Sequence, residues 1–215
     1  MKITKKRHLE IAIENIPKFE SYNIKLEQYS TPSNIAADLV WNAYSLGDID
    51  DKSIIDLGCG TGILTFSSLL INAKLALGID IDSKAINITK RTVKEMNISN
   101  STFFNKDIYE IVDDDFNNIN TDFDTAITNP PFGSQSRSKK GADRIFMKSA
   151  FKLANVVYSF HMGETHDFVM NFYEKLGGEI THRFKYKFPL FNTYEFHTQE
   201  AKSIDVIVFR TIKLH

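Results

Sequence analysis

Cysteine is nearly absent from the 215-residue sequence. With Cys59 alone, no disulfide can close within the chain, and no zinc site can be built from thiolates only. A reducing intracellular setting, the cytoplasm, is therefore expected. Long apolar runs are missing too. No stretch approaches the ~18 residues that span a bilayer, so no membrane association is expected. The opening segment Met1 to Glu10 is charged and leads into no apolar core of a signal peptide. Proline is sparse, and no linker rich in proline or glycine, no repeat and no low-complexity tract divides the chain. An excess of one charge is also lacking. The net charge of −1 excludes a protein that coats nucleic acid by bulk charge, and it leaves room for a site-specific enzyme with local basic patches. Nothing suggests a metal site, since the acidic run Asp113-Asp114-Asp115 has the composition of a solvated turn.

What is present suits one domain over residues 1–215, of which 1–31 form an N-terminal extension. Lys5 to Ile16 carries Leu9, Ala12, Ile13 and Ile16 at helical spacing, with Pro17 just past its end. After a polar connection, Ser33 is expected to cap a helix whose apolar face holds Ile35, Ala36, Leu39, Val40, Ala43 and Tyr44. From there short apolar runs alternate with amphipathic stretches. Strands are predicted at Ser53–Leu57, Leu75–Asp80, Thr102–Asn105, Phe123–Thr128 and Asn155–Phe160. Helices are predicted at Gly62–Ile71, Ser83–Met96, Arg144–Ala154 and His166–Leu176. Two further strands, Ile180–Phe188 and Ser203–Ile212, follow one another without a helix. Repeated strand–helix units imply an α/β fold with a doubly wound, Rossmann-like sheet, mostly parallel, with helices on both faces. The last two strands imply an antiparallel hairpin at its edge.

The first strand runs into Asp56-Leu57-Gly58-Cys59-Gly60-Thr61-Gly62. Glycines at a strand-to-helix turn let backbone approach a ligand closely. The spacing G-x-G-x-G differs from the dinucleotide pattern G-x-G-x-x-G and follows an acidic residue. It suits a ligand bearing an ammonium and a carboxylate, with Asp56 meeting the cation. Asp80, about 20 residues after the glycines, is placed at a strand end to accept ribose hydroxyls. Asp107, after the third strand, can receive the amine of an adenine ring. Together these point to S-adenosylmethionine, with a nicotinamide cofactor as the rival. Cys59 within the loop is expected to be a small filler and not a nucleophile.

The fourth strand leads directly into Asn129-Pro130-Pro131-Phe132-Gly133. Two prolines fix their φ angles and stiffen the turn. The Asn129 side-chain oxygen and the Pro130 carbonyl can then accept the two hydrogens of one amino group, and Phe132 offers a face for a planar ring. Such a grip aims the nitrogen lone pair at a methyl donor by positioning and electrostatics, with no general base needed.

At these two stretches the chain resembles class I amino-methyltransferases. Further segments narrow the resemblance: Leu26-Glu27-Gln28-Tyr29-Ser30-Thr31, Lys140-Gly141-Ala142-Asp143, Val157-Tyr158-Ser159-Phe160-His161, and the ending from Glu195-Phe196-His197 through Lys202 to Val206. They are similar to the methyltransferase-like-five family, archaeal and eukaryotic enzymes that form N6-methyladenosine in small-subunit ribosomal RNA. The resemblance implies that Gln28 and Thr31 close over the cofactor, with Tyr29 between them counted among its contacts. It also implies that Gly58, Gly60, Thr61, Gly62, Ile63, Asp80, Ile81, Asp107 and Ile108 line the cofactor pocket. Asn129, Pro130, Pro131 and Phe132 would hold a flipped adenine. Eukaryotic members of the family take a small zinc-containing activator subunit along the sheet edge near the third strand, so the resemblance implies a heterodimer.

Three basic groups stand out: Lys2, Lys5, Lys6 and Arg7; then Arg137, Lys139, Lys140 and Arg144; then His182, Arg183, Lys185 and Lys187 alternating with aromatics. The first two are expected to meet RNA phosphates, with Arg137, Lys139 and Lys140 best placed because they follow Phe132. His161 is expected beyond the fifth strand as a polar loop residue. Competing functions with the same Asn-Pro-Pro-aromatic turn are glutamine-N5, guanine-N2 and DNA adenine methylation, or a non-catalytic scaffold.

Overall fold

A computed structural model describes residues 3–19, 30–113, 122–131, 142–190 and 202–214. The predicted Gln28, Tyr29, Phe132, Arg137, Lys139 and Lys140 lie outside the described residues.

Helix α1 (Lys6–Glu14) buries Leu9 and Ile13 against α2 (Ser33–Ser45), and both rest on α3 (Ile63–Leu70). Strands β1 (Ser53–Leu57), β2 (Leu75–Asp80), β3 (Ser101–Asn105), β4 (Phe123–Thr128) and β5 (Ala154–Met162) are parallel to one another. Between them run α3, α4 (Ser83–Glu95), α5 (Ile108–Asp113) and α6 (Ala142–Leu153). A 3-10 turn (Gly163–Thr165) and α7 (His166–Lys175) lead into β6 (Gly178–Leu190) and β7 (Lys202–Lys213). The sheet order is β3-β2-β1-β4-β5-β7-β6. The final hairpin is antiparallel and its second strand lies inside, paired to β5, which leaves β6 at the edge.

One apolar cluster fills the side covered by α1, α2 and α3, with Leu39, Phe66, Tyr158 and Phe188 at its centre. The other holds Ile55, Met147, Tyr173 and Phe209 beneath α6 and α7. Parallel strands buried on both faces should be apolar nearly throughout, and Ile54 through Leu57 are all buried.

Three expectations are corrected. Ser33 opens the first turn of α2, and the cap position belongs to Pro32, whose carbonyl accepts from the Ala36 N–H at 2.9 Å. Proline's fixed φ lets the chain enter the helix with no side-chain cap. The short helix α5 was not anticipated. It starts where Asp107 accepts from the Tyr109 N–H at 3.0 Å, so Asp113 belongs to a helix and not to a turn, while Asp114 and Asp115 lie outside the described residues. β5 continues past Phe160 to Met162, and His161 is therefore a strand residue only 3% exposed. Its Nε2 meets Ser159 Oγ at 2.8 Å, and burial pushes its pKa down to about 3, so it is a neutral core group. Lys6 pairs with Asp38 of α2 at 2.7 Å at the surface.

Candidate functional site

β1 has β2 on one side and β4 on the other, so the sheet changes winding direction between β1 and β4. A crevice opens at the carboxyl ends of strands at such a switch point. Leu57 is in register with Thr128, and the Thr128 hydroxyl donates to the Leu57 carbonyl at 2.9 Å. The glycine loop and the Asn129-Pro130-Pro131 turn therefore leave the sheet side by side.

The loop is anchored on β2. The N–H groups of Gly58 and Cys59 donate to the Ile79 carbonyl at 2.8 and 3.0 Å, and the Gly60 N–H donates to Asp80 Oδ2 at 2.8 Å. The other Asp80 oxygen accepts from the Asp82 N–H at 2.8 Å. Burial raises the Asp80 pKa, while these two backbone donors oppose the rise. Gly60 has φ +54° and Gly62 +89°, a region open to glycine at little cost. A Cβ on Gly60 would stand 3.1 Å from the Phe19 ring, and one on Gly58 3.1 Å from Phe146. The loop's thiol, Cys59, is 7% exposed, and burial holds it protonated well above its usual range, as a filler requires.

Asp56 is 1% exposed. Its Oδ2 accepts from Thr65 twice, from the hydroxyl at 2.6 Å and the backbone N–H at 3.1 Å, at the positive end of α3. Oδ1 has no partner among the described residues. Burial pushes the carboxyl pKa up to about 7, with the Thr65 bonds opposing and Asp80 adding to the rise. An orphaned carboxylate oxygen beside a cradle of positive-φ glycines fits a ligand bearing an ammonium group. Ile81 is half exposed beyond Asp80, while Thr61 and Ile108 are buried and Ile63 is partly so.

On the other side of the crevice Pro130 is buried and Pro131 partly buried. Asn129 Nδ2 donates to Thr31 Oγ1 at 2.9 Å. Thr31, expected over the cofactor, thus contacts the turn after β4. Of the basic residues near the turn, Arg144 lies 4.8 Å over the Phe168 ring of α7. On β6, Arg183, Lys185 and Lys187 are exposed on one face, while Phe188 is buried and Phe184 and Tyr186 partly so on the other.

The Methyltransferase small domain profile matches residues 38–156, the span from α2 through the start of β5. An uncharacterized protein of Methanocaldococcus jannaschii is 37% identical over 98% of this chain and 95% of its own length. The rRNA N(6)-adenosine-methyltransferase Mettl5 of Drosophila melanogaster is 33% identical over 96% of this chain and 95% of its own. The chain belongs to the methyltransferase-like-five family. A solved structure from Pyrococcus horikoshii, 34% identical, superposes with a TM-score of 0.84 over 99% of this chain and 100% of that one. Within this methyltransferase-like-five chain, sequence reasoning missed Thr65, Phe19 and Phe146. Thr65 had a local signal, since the third residue of a helix offers a free N–H to any acceptor at its start. Phe19 and Phe146 had none, because only the folded chain brings them to the loop.

Proposed function

We propose that the chain transfers a methyl group from S-adenosylmethionine to N6 of an adenosine in ribosomal RNA, in the small subunit. The observation that carries this is the side-by-side exit of the glycine loop and the Asn-Pro-Pro turn from the paired ends of β1 and β4. Asp56, Gly58, Gly60, Thr61, Gly62, Ile63, Asp80, Ile81, Asp107 and Ile108 hold the cofactor, Gln28 and Thr31 close over it, and Tyr29 adds a contact. When bound, S-adenosylmethionine supplies an electrophilic methyl on a sulfonium. The Asn129 amide oxygen and the Pro130 carbonyl accept the two N–H bonds of the target amine and point its lone pair across the crevice. Phe132 stacks on the base. As the N–C bond forms, the methyl–sulfur bond would break to leave a neutral thioether, and the methylated nitrogen, held by Asn129 and Pro130, would give up one proton to water. A target in an unpaired segment is favoured, since flipping a paired base costs a few kcal/mol.

Arg137, Lys139 and Lys140 contact RNA phosphates in this reading. Residues 1–215 act as one catalytic domain, supported by the packing of α1 on α2 and α3. A small zinc-containing activator could pair along β3, which ends the strand order and exposes Thr102. Among the described residues no helix is long and apolar enough to cross a membrane, and we place the enzyme in the cytoplasm with its substrate.

The test is incubation of the full chain with labelled S-adenosylmethionine and ribosomal RNA, followed by nucleoside analysis. Label should appear in N6-methyladenosine, and Asn129→Ala should lower the rate roughly a hundredfold or more, as loss of a preorganised polar contact does. Label in glutamine of a protein substrate and in no nucleoside, with an activator subunit present, would replace this reading. Charge reversal at Lys139 and Lys140 should weaken RNA binding and leave cofactor affinity unchanged. Equal RNA affinity would remove those lysines from the interface.

A further inference from the structure

The Asn129–Thr31 hydrogen bond joins residues 98 positions apart. It also connects the N-terminal segment, outside the glycine loop and the sheet, to the turn on which catalysis depends. Thr31 is 6% exposed, so water competes little for the contact. Its mount is stiff. Pro32 follows it with φ −58° and begins α2, whose residues Ile35, Ala36, Leu39 and Val40 are buried in the core. A residue before proline is confined to extended backbone, which restricts Thr31 in turn. The hydroxyl is therefore carried by a packed helix.

An asparagine amide has two ends of nearly equal shape, one that donates and one that accepts, and only its partners decide which end points where. The target amine offers two N–H donors toward the turn, so Asn129 serves only with its oxygen on that side. The reverse orientation would set donor against donor. A hydroxyl can serve either end of the amide. With the amine on one side and Thr31 on the other, however, only nitrogen toward Thr31 satisfies both contacts, and this is the orientation in the structure. We propose that Thr31 is a positioning residue that fixes where the Asn129 amide sits, its nitrogen bound to the Thr31 hydroxyl, so that the oxygen meets the target amine. This role is separate from any contact Thr31 makes with the cofactor, and it rests on the reading of Asn129 as the acceptor.

The test compares Thr31→Val, Thr31→Ser and Asn129→Ala in the full chain with ribosomal RNA, measuring kcat, the KM for S-adenosylmethionine and the thermal midpoint. Valine keeps the shape and removes the acceptor. We expect kcat to fall about 5- to 50-fold, the range for losing one hydrogen bond at a site where its partner must stay aligned, with the KM for cofactor within about twofold. Serine, which keeps the hydroxyl, should recover most of the loss. In an Asn129→Ala background, Thr31→Val should change kcat no further, because the two residues act as one unit. A raised KM with unchanged kcat in Thr31→Val would overturn the proposal and assign Thr31 to the cofactor. Equal defects in the valine and serine variants would overturn it in favour of a shape requirement. If valine unfolds the chain at the assay temperature, the serine variant and the double-mutant comparison made with Thr31→Ala decide the matter. Full activity in Asn129→Ala would remove the acceptor reading itself and this proposal with it. Loss in Asn129→Ala beside wild-type kcat in Thr31→Val would remove only the proposal.

Discussion

At the scale of single residues, Asp56 is pulled in two directions. The fold needs its Oδ2 to receive the Thr65 hydroxyl and N–H at the start of α3, yet burial makes its ionised form costly. Its folded pKa of about 7 lies above that of the unfolded chain, near the ordinary ~4 for aspartate. The sign follows from linkage. Below about pH 4 the carboxyl is protonated in both states and costs nothing. Between there and pH 7 the unfolded state gains by ionising, and above pH 7 the folded protein carries the full penalty. Asp56→Asn keeps an acceptor for Thr65 and removes the charge. Thermal melts of the free protein should show this variant several degrees more stable than wild type at pH 8, with the two converging toward pH 4. Calorimetry should show weaker S-adenosylmethionine binding in the same variant, since under the proposed function the ammonium loses its partner. A variant no more stable than wild type at pH 8 would mean that Asp56 is not held near neutrality. His161 is a contrasting case. Its imidazole has no charged partner among the described residues and stays neutral, so His161→Phe should leave the pH profile of methylation unchanged near neutrality.

The element that sets the site is the turn from β1 into α3. Gly62 stands at its end with φ +89°, and a Cβ there would lie 2.7 Å from Cε2 of the fully buried Phe66 and 3.2 Å from Thr89. Gly62→Ala combines a strained backbone with a collision against a ring that has little room to turn. Overpacking of this kind costs about 1–3 kcal/mol, and the left-handed φ adds to it. Urea unfolding should show that loss, together with weaker cofactor binding, because the displaced loop no longer presents the Gly60 N–H to Asp80. Gly47→Ala is the control. It shares a positive φ of +82° but meets nothing within 4 Å, so it should cost less and leave binding alone.

Across the whole molecule, the connection between α2 and β1 is tied to the far side of the sheet. Arg210 on β7 makes two bonds to the Asp48 carboxylate, from Nε at 2.7 Å and Nη2 at 2.9 Å. The Tyr158 hydroxyl on β5 donates to the same carboxylate, and the Thr125 hydroxyl on β4 donates to the Asp48 carbonyl at 2.7 Å. Three strands thus converge on one loop. With the Asp48 side chain 7% exposed, removing its cation leaves a buried charge. Arg210→Met should cost about 3–5 kcal/mol in chemical denaturation, and pairing it with Asp48→Asn should recover part of that loss. A double variant as unstable as the single would show that the cost comes from lost packing of the arginine stem.

Much of this architecture was legible in the sequence by itself. The alternation of apolar strands and amphipathic helices, the glycine loop after Asp56, the carboxylate at Asp80 and the stiff turn at Asn129 are local patterns, and local patterns follow from backbone sterics and side-chain periodicity. The positions of β1, β2 and β4 came out residue for residue as predicted for that reason. Only the tertiary structure decided which partner each polar group would find. That the final strand inserts beside β5, that Asp56 spends one oxygen on Thr65 and leaves the other alone, and that Thr31 holds Asn129 all depend on which strands pair and which helix covers them. A hydrogen bond reaches only about 3 Å, so contacts between residues 98 or 162 positions apart exist only once the sheet has set the distance.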